Sequence, residues 1–162
     1  MARENAVVRL LVRIGPAPWA GTVMRLFMVP LDIALQRRSA GRHHVGRLLG
    51  VRMPTLLLTT TGARSGLPRV VPLFFVPHGG GYAVVGSNFG QPHHPAWSAN
   101  LLKHPVATVA IGARRHRVSA RLLEGAERED AWGALTGRFP GYQEFSDRSR
   151  RTARIFALEP LP

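Results

Sequence analysis

The residues best suited to chemistry lie in a glycine-containing loop at positions 59–69, which reads TTTGARSGLPR. Two glycines, Gly62 and Gly66, bracket a basic and a hydroxyl residue. Glycine permits backbone conformations in which successive N–H groups face one concavity. The side chains that add further donors are Arg64, Ser65 and Arg69. Such a loop suits a phosphate or a carboxylate, although it is not a P-loop, and a basic hairpin turn without a ligand is the alternative.

The distribution of charge supports an anionic ligand. The 162-residue chain has a formal net charge of +13, yet no aspartate or glutamate occurs between Asp32 and Glu124. All seven histidines lie in that same window. A protein this basic attracts polyanions such as nucleic acid, an anionic membrane or a phosphorylated small molecule. The window offers no carboxylate as a general base, so its chemistry must use other side chains, backbone donors or a cofactor.

Three classes of site are disfavoured by residue type. The chain has no cysteine, which excludes disulfides, thiolate metal sites and cysteine nucleophiles. The pairs His43-His44 and His93-His94 have neither a carboxylate nor a thiolate nearby to complete a metal site, so we predict no metal. We also expect no nucleic-acid binding, because only 7% of residues are aromatic and no nucleic-acid motif is present.

Polar and aromatic residues later in the chain could line a pocket. Ser87 and Asn88 follow an apolar run, and Ser87 lacks the first glycine of a nucleophile elbow, so both fit better as hydrogen-bonding groups that orient a ligand. Trp97 is either a core anchor or a wall for a planar ring. Tyr142 and Phe145 share one face if their segment is helical, with the same two alternatives.

The segments that contain these residues are mostly short apolar or alternating runs between turn residues, as is typical of β-strands. We predict an α+β fold with a small six-stranded β-barrel and flanking helices. The predicted helices cover residues 96–104 and 127–139, and a Pro-Gly-aromatic stretch covers residues 140–151. The predicted strands are residues 54–61, 68–76, 82–86, 106–111, 116–123 and 155–158.

We predict that residues 1–52 form a basic helical extension to the barrel domain, residues 53–162. An amphipathic helix is predicted over residues 3–14, and a second apolar stretch over residues 19–35 is too short and interrupted to be a membrane span. A basic segment follows. The extension either packs on the barrel or lies on an anionic bilayer, because its apolar face and its arginines occur together.

Four motifs together resemble the deazaflavin-dependent nitroreductase family. They are LTTTGARSGLPR at 58–69, VGSN at 85–88, HPAW at 94–97 with Asn100-Leu101, and FPGYQEF at 139–145. The resemblance covers roughly residues 54–160. It implies an antiparallel split β-barrel that binds coenzyme F420, a deazaflavin with a phospholactyl-polyglutamate tail. The acid-free basic window is the kind of field that would hold this tail.

The resemblance also implies roles for individual residues. Arg64, Ser65 and Arg69, with the backbone of Gly62 and Gly66, would hold the phosphate and the tail. The residues that would line the deazaflavin ring are Ser87, Asn88 and Trp97, and Tyr142 would face the substrate.

Two positions depart from the family pattern. Ala63 stands where many relatives have a second basic residue, which leaves Arg38, Arg42 or Arg52 as alternative contacts to the tail. Phe145 stands where nitroreductase-active relatives tend to have a tyrosine, so nitroimidazole reduction does not follow from the resemblance.

The implied activity is hydride transfer from reduced F420 to an electrophilic acceptor: a quinone, an enone or a nitroaromatic. The cofactor performs the transfer, while Tyr142 or Ser87, as catalytic residues, or water supplies the proton. The alternatives are an FMN-dependent split-barrel oxidoreductase and a non-catalytic binder of F420, a lipid or haem. We expect a cytoplasmic protein. A homodimer and a peripheral position on the inner face of the membrane are left open, and a membrane position would favour a menaquinone-like lipid.

Overall fold

The computed structural model describes Trp19 and residues 23–39, 41–48 and 53–162. The predicted helix over residues 3–14 lies outside the described residues. Within them, an N-terminal helical segment precedes a mixed region in which strands dominate. The strands are β1 (Thr55–Thr61), β2 (Pro68–Phe74), β3 (Val76–His78), β4 (Gly81–Val85), β5 (Val106–Ile111), β6 (Arg114–Leu122) and β7 (Ile155–Pro160).

The described part of the chain has seven strands, so the prediction of six was wrong. The additional strand is β3. Its first residue, Val76, was predicted as the end of the preceding strand, and its other two residues were predicted as part of a turn. Gly79 and Gly80 alone form the turn, with φ angles of 54° and 79°. Two-residue turns with positive φ match the twist of paired strands, so pairing continues to His78 and Gly81.

The seven strands form one antiparallel sheet in the order β2-β1-β5-β6-β7-β4-β3. Strands β2 and β3 lie at opposite ends of this order, yet only Phe75 separates them in the chain. The Phe75 N–H donates to the Pro54 carbonyl at 3.2 Å, one step beyond Thr55 and Phe74, the last paired residues of β1 and β2. Because the chain itself joins the two edges, the sheet must curl.

The inside of the curled sheet is an apolar core. Successive residues of a strand face opposite sides, and Leu56 and Leu58 of β1 point inward and are fully buried. A helix, α3 (Ala96–Lys103), inserts Trp97 and Leu101 into the same cluster. This helix therefore packs against the same apolar core as β1.

Two further helices cover a second apolar cluster. Helix α4 spans Gly125–Arg138 and helix α5 spans Gly141–Ser149. Most of the stretch of residues 140–151, for which the sequence left a helix open, is therefore helical. Pro140 can precede a helix without loss of a hydrogen bond, and Arg150, with φ 52°, ends the helix in a left-handed conformation.

The described part of the N-terminal segment packs on the sheet. It comprises a π-helical turn (Met24–Met28), helix α1 (Val29–Arg38) and helix α2 (Val45–Leu48). The buried Gln36 accepts a hydrogen bond from Thr55 of β1 at 3.4 Å, and the buried His44 ring meets Phe74 of β2 edge to face. Gly41 lies so close to Gly112 that a Cβ atom would come within 2.6 Å of its Cα. These contacts agree with the packing alternative for the part of the segment that contains Gln36, Gly41 and His44.

Candidate functional site

The loop of residues 62–67 is a tight, internally bonded turn. The Gly62 N–H donates to the Leu67 carbonyl at 2.9 Å, and the Gly66 N–H donates to the Gly62 carbonyl at 2.8 Å. A side chain at Gly62 would come within 2.6 Å of the Ser65 hydroxyl, and Gly66 has a φ of 66°. Both glycines thus shape the loop, while their own N–H groups are already occupied.

Helix α3 anchors this loop through two side chains. The Asn100 Oδ1 accepts the Ala63 N–H at 2.9 Å, and its Nδ2 donates to the Thr60 hydroxyl at 3.0 Å. Lys103 donates to the Ala63 carbonyl at 2.7 Å. Both backbone groups of Ala63 are therefore held by the helix. Asn100 is buried, and its two bonds fix the orientation of its amide.

The anchored loop presents its charged side chains to solvent. Arg64, Ser65 and Arg69 are all exposed. The Leu67 N–H donates to the Ser65 hydroxyl at 3.3 Å, which leaves the hydroxyl hydrogen available to a ligand. With Lys103 beside them, these residues form a positive edge in the window without carboxylates. The arrangement can receive an anion through side chains, while the backbone supplies the shape.

A second loop, residues 86–94, contains Ser87 and Asn88. It follows the end of β4 and includes a 3-10 turn, Asn88–Gly90. Asn88, Phe89 and Gly90 have φ angles of 48°, 53° and 76°. A non-glycine residue with positive φ is uncommon, and two in succession must be held by surrounding contacts. One such contact joins Asn88 Nδ2 to the His93 carbonyl at 2.9 Å.

Arg151 supplies the other contacts to this loop. Its Nη2 donates to the carbonyls of Gly86 and Ser87 at 3.1 and 2.9 Å, and its Nε donates to the Gln91 carbonyl at 3.1 Å. Its Nη1 lies 3.1 Å from His94 Nδ1. Burial lowers the pKa of Arg151 from its ordinary value, with a smaller effect from Arg154. No sequence pattern indicated this role, because Arg151 lies outside all four motifs.

Two predicted site residues are buried. Trp97 is 7% exposed, and its ring packs against Phe156 with centroids 5.7 Å apart. Tyr142 is 6% exposed and meets Phe139 edge to face at 5.1 Å. Burial raises the pKa of the Tyr142 hydroxyl well above its ordinary value. Both residues are core members in this structure, and their contacts to a ligand stay predictions.

Helix α3 relates the two loops. Its eight residues span about 12 Å. The loop of residues 62–67 is held by the C-terminal half of the helix, through Asn100 and Lys103. The second loop leads directly into the first turn, where Pro95 lies 3.3 Å from a Cβ atom built on Gly86. Tyr142 belongs to the other apolar cluster, beneath α4 and α5.

Among the described residues, no group of three or more histidine, aspartate or glutamate side chains could hold a metal ion. In the same part of the chain, no helix has the length and apolar character needed to cross a membrane.

Comparison with known proteins supplies the decisive observation. The model of a family described as F420H(2)-dependent quinone reductase matches residues 29–160. The chain belongs to this family. The match contains all four motifs and begins within the N-terminal segment, at the start of helix α1. The family assignment confirms the resemblance to deazaflavin-dependent enzymes.

Individual relatives agree with the family assignment. An F420H(2)-dependent quinone reductase of Mycobacterium tuberculosis is 29% identical over 136 residues, which cover 80% of this chain and 90% of the relative. A solved F420-H2 dependent reductase, FDR-A, is 40% identical, with a TM-score of 0.61 over 65% of this chain and 94% of the other. A structure described as a domain-swapped dimer is 37% identical, with a TM-score of 0.63 over 80% of this chain and 93% of the other.

Proposed function

We propose that this family member is an enzyme that binds coenzyme F420 and uses its reduced form to reduce a quinone. The observation that carries the proposal is the exposed basic loop of residues 62–69, which helix α3 anchors in a region without carboxylates. F420 has a phosphate and an acidic tail, so its charge complements that of the loop. The relatives named as F420-dependent support the same cofactor.

The phosphate and the tail are assigned to side chains of the loop. Arg64 and Arg69 provide two exposed guanidinium groups, and Ser65 provides a hydroxyl between them. Gly62 and Gly66 contribute by allowing the turn, since their N–H groups are bonded within the loop. Lys103 bonds to the Ala63 carbonyl and adds positive charge, which offsets the absence of a basic side chain at Ala63.

The deazaflavin ring is assigned to the second loop. Ser87 and Asn88 are half-buried at the end of β4, so their polar groups can orient a planar ring next to apolar surface. Trp97, which is 7% exposed and packs against Phe156, would back the ring from the core side. When bound, reduced F420 supplies the hydride. We assign the split β-barrel as the fold that binds this cofactor, because the antiparallel sheet is curled.

Tyr142 is assigned as the residue that donates a proton or a hydrogen bond to the acceptor. Burial raises the pKa of its hydroxyl, so the group is protonated at neutral pH and has a hydrogen to donate. Its aromatic neighbours, Phe139 and Phe145, provide an apolar surface. One hydroxyl in aromatic surroundings favours a quinone, which is planar and has a carbonyl oxygen to protonate.

The N-terminal segment packs on the sheet through Gln36 and His44 and also has an exposed apolar face, which we assign to an anionic membrane surface. Phe27 is 68% exposed, and Val23, Leu26 and Leu31 are exposed on the same helical segment. Arg37 and Arg38 follow on α1, and Arg42 and Arg47 come next in the chain. Apolar and cationic side chains together fit lipid tails and anionic head groups. A peripheral position on the inner membrane face would give access to a lipid-soluble quinone.

A homodimer is the oligomeric state supported by the relatives. The structure described as a domain-swapped dimer is 37% identical to this chain and covers 80% of it. Light scattering of the purified protein tests this assignment: a mass near twice the 17.8 kDa chain supports it, and a mass near 17.8 kDa overturns it.

Turnover tests the proposed reaction. Reduced F420 is mixed with the protein and menadione, and its reoxidation is followed by absorbance. Reoxidation that depends on both protein and menadione supports the proposal. Tight F420 binding without any turnover of this or other quinones would instead indicate a non-catalytic binder.

A further inference from the structure

The contact between Arg151 and His94 determines where the histidine carries its hydrogen. A guanidinium has only donors, so at 3.1 Å the Nδ1 atom of His94 must accept. A neutral imidazole that accepts at Nδ1 has its hydrogen on Nε2. Burial and the charges of Arg151 and Arg154 lower the pKa of His94, which keeps the ring neutral at pH 7. These two arginines are the charged groups that act on His94.

The same guanidinium joins His94 to the loop assigned to the cofactor ring. One terminal nitrogen of Arg151 contacts His94, and the other contacts the carbonyls of Gly86 and Ser87. His94 is half-buried, and its Nε2 has no hydrogen-bond partner among the described residues. The Nε2–H of His94 is therefore an unused donor on a ring that is held by the same guanidinium as the Ser87 carbonyl.

We propose that Arg151 is a positioning residue that holds His94 as the Nε2–H tautomer, and that His94 donates this hydrogen to an acceptor atom of the bound ring. The acceptor is a carbonyl oxygen or an unprotonated ring nitrogen of a planar heterocycle. The identity of the bound ring rests on the proposed function. The tautomer of His94 in the free protein does not depend on it.

The free protein provides the first test, independent of activity. Long-range ¹H–¹⁵N spectra distinguish the two neutral tautomers and the imidazolium of histidine. At pH 7, His94 should show hydrogen on Nε2, and Arg151→Lys should produce a mixture of tautomers because the fork geometry is lost. An Nδ1–H tautomer or an imidazolium in the unsubstituted protein would overturn the proposal, even if Arg151→Lys does not fold.

Ligand affinity provides the second test, with paired substitutions. In His94→Gln the side-chain amide can place N–H near the position of Nε2, whereas in His94→Asn it reaches only the position of Nδ1. We expect the Kd for F420 to stay within about threefold for His94→Gln and to rise about tenfold for His94→Asn. His43→Asn, at an exposed histidine elsewhere in the chain, is the matched control and should leave the Kd unchanged.

A truncated deazaflavin without the tail tests whether His94 acts on the ring or on the tail. His94→Asn should weaken the truncated ligand as much as intact F420, because His94 acts on the ring. Equal affinities of the unsubstituted protein, His94→Gln and His94→Asn would refute the role of His94 and leave the proposed function standing. Failure of the unsubstituted protein to bind F420 would instead refute the proposed function, and the tautomer would still decide the Arg151 assignment.

Discussion

Asn100 and Ala63 are joined by a hydrogen bond of 2.9 Å, although 37 residues separate them in the chain. The bond holds the basic loop against helix α3, and Lys103 holds the same residue through its carbonyl. The position of Arg64 in space therefore depends on a helix that is distant from it in the sequence. This arrangement leads to the first prediction.

Asn100→Leu should lower both stability and cofactor affinity. The change leaves the Ala63 N–H and the Thr60 hydroxyl without their partner, which costs about 2 kcal/mol in the free energy of unfolding. The Kd for F420 should rise more than the Kd for the tail-less ligand, because the loop is displaced. Ala99→Leu, which places the same side chain at an exposed neighbour on α3, is the control. A Kd unchanged for Asn100→Leu would show that the anchor is irrelevant to binding.

Arg64→Ala should weaken the binding of intact F420 by about tenfold to a hundredfold, the range of a lost charge-assisted hydrogen bond. The truncated deazaflavin should be affected little, and the affinity for intact F420 should fall with added salt. Arg114→Ala removes an equally exposed arginine at the start of β6 and serves as the control. Equal losses for both ligands would contradict the assignment of the loop to the tail.

Tyr142→Phe should reduce turnover with menadione by about a hundredfold, as expected for loss of a proton donor. Its hydroxyl makes no hydrogen bond among the described residues, so the free energy of unfolding should change by less than about 0.5 kcal/mol. The Kd for F420 should stay the same. Tyr82→Phe is the control at another partly buried tyrosine. Unchanged turnover would assign the proton to Ser87 or water.

Stability should depend on pH through Glu127. Arg121 and His78 bond to its carboxylate and lower its pKa from 4.5 to about 2. A carboxyl group with a lowered folded pKa contributes stability above its unfolded pKa, and the contribution disappears as pH falls through the folded value. Glu127→Gln should therefore destabilise the protein at pH 6 and become equal to the unsubstituted protein near pH 2. Urea unfolding across this range checks the convergence, with Asp130→Asn as control; a constant difference would contradict it.

Phe27→Ser with Leu31→Ser should reduce co-sedimentation with anionic phosphatidylglycerol liposomes. The two side chains are 68% and 57% exposed, so the protein should remain folded. Leu102→Ser, which changes an exposed leucine on α3, should sediment like the unsubstituted protein. If none of the proteins sediments, or if all sediment equally, the apolar face does not bind the membrane.

Local patterns predicted much of the fold. Alternating apolar residues identified most of the strands, and Pro95 with the apolar run after it identified helix α3. The patterns failed where one or two residues decide the structure. The turn contains only Gly79 and Gly80, so residues 76–78 before it pair with β4 as the separate strand β3.

The site was predictable only in part, because its supporting contacts are distant in sequence. Arg64, Ser65 and Arg69 are recognisable from one motif. Arg151 acts on residues 57 to 65 positions earlier, and no local pattern distinguishes it from the other arginines. Lys103 did carry a signal, as the single lysine in a chain rich in arginine, although its contact with Ala63 needs the fold to be seen.

The affinity for coenzyme F420 tests the central claim most directly. Purified protein is titrated into F420 and, separately, into FMN, and binding is followed by fluorescence. The basic loop and the family assignment predict saturable binding of F420 that is tighter than that of FMN and weakens with salt. Tight binding of FMN together with no binding of F420 would contradict the account.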